Sequence, residues 1–136
     1  MKKLIILSIL VPIISFSQEK EIDFDSLERT PIYPGCEPYI QQLRSCFLRK
    51  IQIHINKNFR YPEFAQKTGI QGRVFVQFII DKDGSVVGIR TRGPHPILEI
   101  EAKRIISILP KFIPGYVDGK AVRVPFSMPI TFKLQK

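Results

Sequence analysis

The final fifteen residues, Val122 to Lys136, read V-R-V-P-F-S-M-P-I-T-F-K-L-Q-K. Even positions hold Val122, Val124, Phe126, Met128, Ile130, Phe132 and Leu134, all apolar, while odd positions hold Arg123, Pro125, Ser127, Pro129, Thr131 and Lys133. Such alternation specifies a strand with one buried face. The prolines narrow it further. Proline donates nothing to a ladder, and Pro125 and Pro129 share parity, so both missing donors fall on one lateral edge. The other edge, served by Val124, Phe126, Met128, Ile130 and Phe132, keeps every donor and is expected to pair inside a sheet, with Arg73–Ile80 as its neighbour. On the outer edge, Thr131 and Lys133 retain their donors. Two readings stay open for that edge: protection against unwanted pairing, or a short stretch to which an extended peptide adds as a strand.

The rest of the chain supplies partners. Arg73 to Ile80 places Val74, Val76, Phe78 and Ile80 on one face, and Asp81-Lys82-Asp83-Gly84 separates it from a second strand, Ser85 to Arg92. Asp-Gly between apolar strands signals a hairpin. A calcium loop would need three spaced acids, a sixth-position Gly and a closing Glu; that spacing is not met, and the acids read as turn residues. Ile40, Leu43, Phe47, Ile51 and Ile55 recur at helical spacing, in a helix starting near Gln42 and broken at Asn58–Pro62, because Pro62 disfavours a helical Tyr61. Pro62 then suits the first turn of a short helix, Glu63 to Lys67, stopped by Gly69. A later helix, from about Ile97 to Leu109, is expected to bury Leu98, Ala102, Ile105, Ile106 and Leu109 and to end at Pro110. Phe112 to Tyr116 reads as a bend, and Val117-Asp118-Gly119-Lys120 as a turn into the final strand. The fold class is α+β: a small three-stranded antiparallel sheet packed against two helices, with an extra N-terminal helix tied by a disulfide.

The first residues stand apart. A basic Met1-Lys2-Lys3, an apolar run from Leu4 to Ile14 and Ser15-Phe16-Ser17 form the pattern of a secretory signal peptide cut before Gln18. The run is about half the ~20 residues of a membrane-spanning helix. The expected organisation is a signal peptide at 1–17, an extended or disordered arm at 18–35, and one domain at 36–136. Cys36 and Cys46 are the only cysteines, and export favours a disulfide between them, the alternative being two free thiols. Ten residues of one helix span roughly 15 Å, whereas a disulfide needs Cα atoms within about 7 Å. Cys36 must therefore lie outside the helix that carries Cys46, with the chain folding back between them.

The chain has a net charge of +9, and loss of Lys2 and Lys3 lowers it to +7. Glu19, Glu21, Asp23, Asp25 and Glu28 concentrate acid in the arm, leaving the domain strongly basic. Export makes nucleic acid a poor partner and favours anionic envelope surfaces or acidic loops of a protein. No nucleophile stands in a recognised context, and His54 and His95 read as solvated surface histidines. A metal site would need more ligands than two cysteines and His54. The reading is a binding module: not an enzyme, with no catalytic residues, no metal and no cofactor.

Tyr61-Pro62, Ala65, Gly69-Ile70-Gln71-Gly72, Val74-x-Val76-x-Phe78, Asp81-x-Asp83-Gly84, Pro114-Gly115, Gly119-Lys120 and Pro129-Ile130-Thr131-Phe132 together resemble the C-terminal domain of TonB-family energy transducers. The resemblance runs from about Asn58 to Leu134, and the Cys36–Cys46 segment looks like versions common in Bacteroidetes-type bacteria. It implies a periplasmic domain that binds the box peptide of TonB-dependent outer-membrane receptors beside its last strand, in support of energised transport. By position, the implied partner-binding residues are Ser127, Pro129, Thr131 and Lys133 on the edge, with Arg60, Tyr61 and Pro62 beside them. Full-length transducers carry an uncleaved membrane helix and a long Pro-rich linker, whereas only about forty residues precede Tyr61 here once the leader is removed. If cut, the chain is a soluble periplasmic module; if Met1 is retained, it is anchored in the inner membrane within reach of the motor proteins. A homodimer through edge pairing stays open. The alternative function is a soluble basic envelope protein that binds peptidoglycan or another periplasmic partner without transducing energy.

Overall fold

The computed structural model describes residues 22–24 and 27–135. The signal-peptide reading of 1–17 and the acidic residues Glu19, Glu21 and Asp25 lie outside the described residues. The C-terminal strand, β5 (Val124–Phe132), forms the edge of a three-stranded antiparallel sheet ordered β2–β1–β5, where β1 is Gly72–Ile80 and β2 is Val86–Arg92. Along β5, Val74 stands opposite Ile130, Val76 opposite Met128 and Phe78 opposite Phe126. Pro125 faces Ile79 and Pro129 faces Phe75. A proline cannot exchange both bonds of a hydrogen-bonded pair, so these are the widely bonded gaps of the ladder, and the even residues bond to β1. Both prolines therefore turn their missing donors outward.

Two helices cover one face of this sheet. The first, α1 (Leu43–Asn58), buries Cys46, Phe47, Ile51 and Ile55, and a short α2 (Glu63–Thr68) follows, closed by Gly69 in the left-handed region. The second covering helix, α3 (Pro96–Ser107), buries Leu98, Ala102, Ile105 and Ile106. These side chains pack on Val74, Val76, Phe78 and Ile80 of β1 and on Val124, Ile130 and Phe132 of β5. Period-2 and period-3.6 stripes thus meet in a single core. The opposite face of the sheet is open.

The strand boundaries differ from the sequence expectation at both ends. Val122 belongs to β4 (Lys120–Val122), which pairs with β3 (Gly115–Val117) around Asp118-Gly119. At Arg123 the chain leaves this hairpin and enters the larger sheet. Alternation continues unbroken across that point because side-chain parity says nothing about which strand is the neighbour. At the other end, Lys133 lies just past β5, and the Leu134 N–H donates to Gln71 Oε1 at 3.1 Å.

Two glycines shape the first hairpin. Gly84, at φ +88°, sits so close to Phe112 that an added Cβ would lie 1.8 Å from its carbonyl oxygen. The Phe112 N–H in turn donates to the Gly84 carbonyl at 2.9 Å. Gly88, at φ +60°, lies where the β1–β2 register shifts, between the pairs Gln77–Arg90 and Ile79–Val87. It gives β2 one extra residue, a bulge that reverses the facing of everything after it.

The arm from residue 27 to Tyr33 is extended. The Arg29 N–H donates to the Tyr116 carbonyl at 3.1 Å, and the Ile32 N–H to that of Ile113 at 2.9 Å. Phe24 is buried with ring centroids 5.2 Å from Phe47 and 5.6 Å from Phe126. Pro31, Tyr33 and Cys36 are buried as well. Cys36 is bonded to Cys46 with their Cα atoms 5.9 Å apart. Cys36 precedes a 3-10 turn at Ile40–Gln42 while Cys46 lies in the first turn of α1, so the chain folds back as the spacing requires.

Candidate functional site

The outer edge of β5 faces α1 across a groove. Gln52, Ile55, Asn56 and Phe59 line one side, and Pro129, Ile130, Thr131 and Lys133 the other, around a volume of ≈ 310 Å³. Carbonyls of Pro125, Ser127, Pro129 and Thr131 point outward from this edge by parity, but only Ser127 and Thr131 within β5 add an N–H. The edge is therefore rich in acceptors and broken in donors. It can receive an extended chain only in registers that tolerate the gaps at Pro125 and Pro129. Gln52 and Asn56, one turn apart, are hydrogen-bonded to each other at 2.9 Å, which holds the helical wall in one arrangement.

The groove opens at its C-terminal end into a wider cleft lined by Phe59, Tyr61, Gln66, Gly69, Gln71, Lys133, Leu134 and Gln135. Phe59 and Tyr61 are set against Phe132, with ring centroids 5.1 and 5.9 Å from it, and the Tyr61 ring is edge-on. The Tyr61 hydroxyl donates to the Ile70 carbonyl. Desolvation by burial raises the Tyr61 phenol above its ordinary range.

A buried carboxylate holds the loop that carries Tyr61. Glu101, 7% exposed, accepts from the Arg60 N–H at 2.8 Å and from both Nε and an Nη of Arg104. Arg104 also donates to the Asn58 carbonyl at 2.6 Å, and the hydrogen bond to Glu101 raises its guanidinium pKa above the ordinary value. The expectation of a solvated His54 is corrected here. His54 is half-buried, and its Nε2 lies 2.8 Å from the Ile105 carbonyl. A carbonyl only accepts, so Nε2 carries the proton and Nδ1 is left to accept from Asn58 at 3.3 Å. His95 is the N-cap of α3, its Nδ1 accepting from the Ile97 N–H at 3.1 Å.

The residues singled out by sequence fall into three places. Pro129, Thr131 and Lys133 share the groove beside α1, and Lys133 also meets Tyr61 in the wider cleft. Ser127 points onto the open face of the sheet. Arg60 is exposed and Pro62 caps α2, and neither lines these clefts. Sequence reading missed the helical wall, Gln52 and Asn56, because which side of α1 borders β5 depends on packing. It also missed Glu101; an acid on the apolar stripe of α3 was the available signal. Among the described residues no group of three or more His, Cys, Asp or Glu is placed to hold a metal, and no helix is long and apolar enough to cross a membrane.

The molecule is thus a small α+β domain with helices on one sheet face and one half-blocked strand edge left accessible. Residues 57–134 match the family model for the Gram-negative bacterial TonB protein C-terminal region, and the chain belongs to that family. Two curated relatives, both protein TonB, from Helicobacter pylori strains J99 and 26695, are 52% identical over 44 residues. That stretch is 32% of this chain but only 16% and 15% of theirs. The NMR solution structure of the Helicobacter pylori TonB C-terminal domain matches with a TM-score of 0.54 at 31% identity, covering 76% of this chain and 94% of that one. The disulfide and the arm precede the family match.

Proposed function

We propose that this protein is a periplasmic binding module of the TonB system that receives the box peptide of TonB-dependent outer-membrane receptors as an added strand on β5. The observation that carries this reading is the groove between the outer edge of β5 and α1, in which Thr131 keeps a donor beyond the gap at Pro129. Strand addition draws affinity from main-chain bonds and specificity from alternate side chains. Here one set of side chains would meet Gln52, Asn56 and Phe59. At the end of the groove, Tyr61 and Lys133 extend the contact, with Arg60 and Pro62 on the same loop. Ser127 supplies the donor on the N-terminal side of Pro129. The leader at 1–17 delivers the chain to the periplasm, and binding rather than covalent catalysis is its contribution to energised transport.

The test is binding of a receptor box peptide to the full-length protein and to Thr131→Pro, which removes the outward donor without touching the inner ladder. Loss of about tenfold in affinity is expected, one to two main-chain bonds' worth. Absence of binding at high peptide concentration overturns the reading. A basic envelope protein that holds peptidoglycan would instead cosediment with isolated cell wall in a salt-dependent way, indifferent to Thr131→Pro.

A further inference from the structure

The sheet face opposite the helices is a second surface, built differently from the β5 edge. Across it, Arg92 stands opposite Phe75, which stands opposite Pro129; one pair along, Arg90, Gln77 and Ser127 form the next row. Arg73 precedes Phe75 by two residues on the same face, opposite Thr131. Phe75 is 57% exposed, a large apolar side chain at the centre of three arginines. A cleft of ≈ 430 Å³ lies between the rows, and a second joins Arg73, Phe75 and Arg92 to Pro94. None of the described residues that line either cleft is acidic. The guanidinium groups of Arg73, Arg90 and Arg92 make no hydrogen bond or ion pair with any described residue.

The arrangement depends on the bulge at Gly88. Before it, Val87 faces the open side opposite Ile79; after it, Arg90 and Arg92 do. With regular pairing, Arg90 and Arg92 would point at the helices while Ile89 and Thr91 pointed outward. The bulge returns Ile89 to the core and aims both arginines at solvent.

We propose that this open face docks an extended acidic segment of a protein partner, with carboxylates at alternate positions. Arg90 and Arg92 are two residues apart on one strand face, roughly 7 Å, the same interval that separates same-side carboxylates on an extended chain. Arg beside an exposed aromatic is also the composition enriched at protein interfaces. A second copy of this chain is excluded as the occupant, because face-to-face contact would set six arginines against one another. The inference stands independently of strand addition: Arg90 and Arg92 lie on β2, at the far side of the sheet from the outer edge of β5.

The experiment measures fluorescence anisotropy of a labelled peptide with glutamate at every second position, titrated with the full-length protein. A matched peptide with glutamine in those positions is the control. The glutamate peptide binds, the glutamine peptide binds about tenfold more weakly or less, and the Arg90→Gln/Arg92→Gln variant loses about tenfold for the glutamate peptide. Phe75→Ala weakens both peptides. Equal affinity of the two peptides, or of the arginine variant and the parent, overturns the proposal. So does arginine-dependent binding of isolated peptidoglycan or phosphatidylglycerol vesicles without peptide binding, which would make the face a glycan or lipid site. Failure of the receptor box peptide to bind, with glutamate-peptide binding intact, would sink strand addition alone.

Discussion

The carboxylate of Glu101 accepts a hydrogen bond from the backbone N–H of Arg60 at 2.8 Å, joining α3 to a loop 41 residues earlier in the chain. The same carboxylate holds Arg104, which reaches the carbonyl of Asn58 at the end of α1. One buried acid therefore fixes where α1 stops and how the Arg60–Pro62 segment leaves it. Tyr61 is then set against Phe132 at the end of the strand that borders the groove. The position of the Arg60–Pro62 loop is decided by an acid that lines neither the groove nor the wider cleft.

Replacing Glu101 by Ala strands the Arg60 N–H and the Arg104 guanidinium. The expected cost is about 2–3 kcal/mol, the range for unpairing buried groups that bond to a charge. Glu101→Gln keeps an acceptor and should cost less. Urea unfolding with an unchanged slope measures both. A shift of the midpoint no larger for Ala than for Gln would show that the carboxylate does not organise the loop.

Gly84→Ala and Gly119→Ala separate backbone strain from collision. Both glycines have positive φ, +88° and +73°, but a Cβ at Gly119 meets nothing within 4 Å, while one at Gly84 meets the Phe112 carbonyl. Gly119→Ala should cost about 1 kcal/mol from the left-handed backbone alone. Gly84→Ala should cost clearly more, about 2 kcal/mol or above, because the hairpin must part from Phe112. Equal losses in chemical denaturation would mean that the turn does not dock on Phe112 in solution.

The arm contributes stability through two anchors, the disulfide and Phe24. Cys36→Ser/Cys46→Ser should lower stability by about 2–3 kcal/mol, the chain-entropy value for so short a loop. Phe24→Ala should lower it by about 3 kcal/mol, the lower end for truncating a buried phenylalanine. Combining them should give less than the sum, since both hold one segment. Denaturation midpoints with and without a reducing agent decide it; full additivity would mean that the anchors act on separate elements.

Acid should weaken the first hairpin. The N–H and hydroxyl of Ser85 bond to the Asp83 carboxylate and, with the Lys111 charge, hold its pKa below the ordinary value. A depressed folded pKa gives stability that is complete above the unfolded value of about 4 and is lost as pH falls through the folded one. Asp83→Asn removes this dependence, so its melting temperature should fall less steeply below about pH 4. Parallel acid limbs for the two proteins would assign the loss to other carboxylates.

Several elements were legible because local chemistry decides them. Asp-Gly between apolar strands marked the hairpin, Pro62 and Gly69 bracketed α2, and the ten-residue cysteine spacing required a fold-back before α1. The parity of Pro125 and Pro129 placed β5 at a sheet edge before any neighbour was known. The misreadings come from contacts distant in sequence. His54 has polar Lys50 and Asn58 one turn away on its helix, yet α3 brings the Ile105 carbonyl to its ring. Val122 continues an alternation that belongs to another pair of strands.

By itself, the sequence determined which edge of β5 is damaged and which residues face the core, since side-chain direction and proline's missing donor follow from backbone geometry alone. Only the tertiary structure decided what lies beside that edge. The groove wall of Gln52 and Asn56, the Glu101 tether of Arg60 and the arginines re-aimed by Gly88 depend on register and helix placement. Those are settled by packing many side chains at once, and no local pattern encodes them.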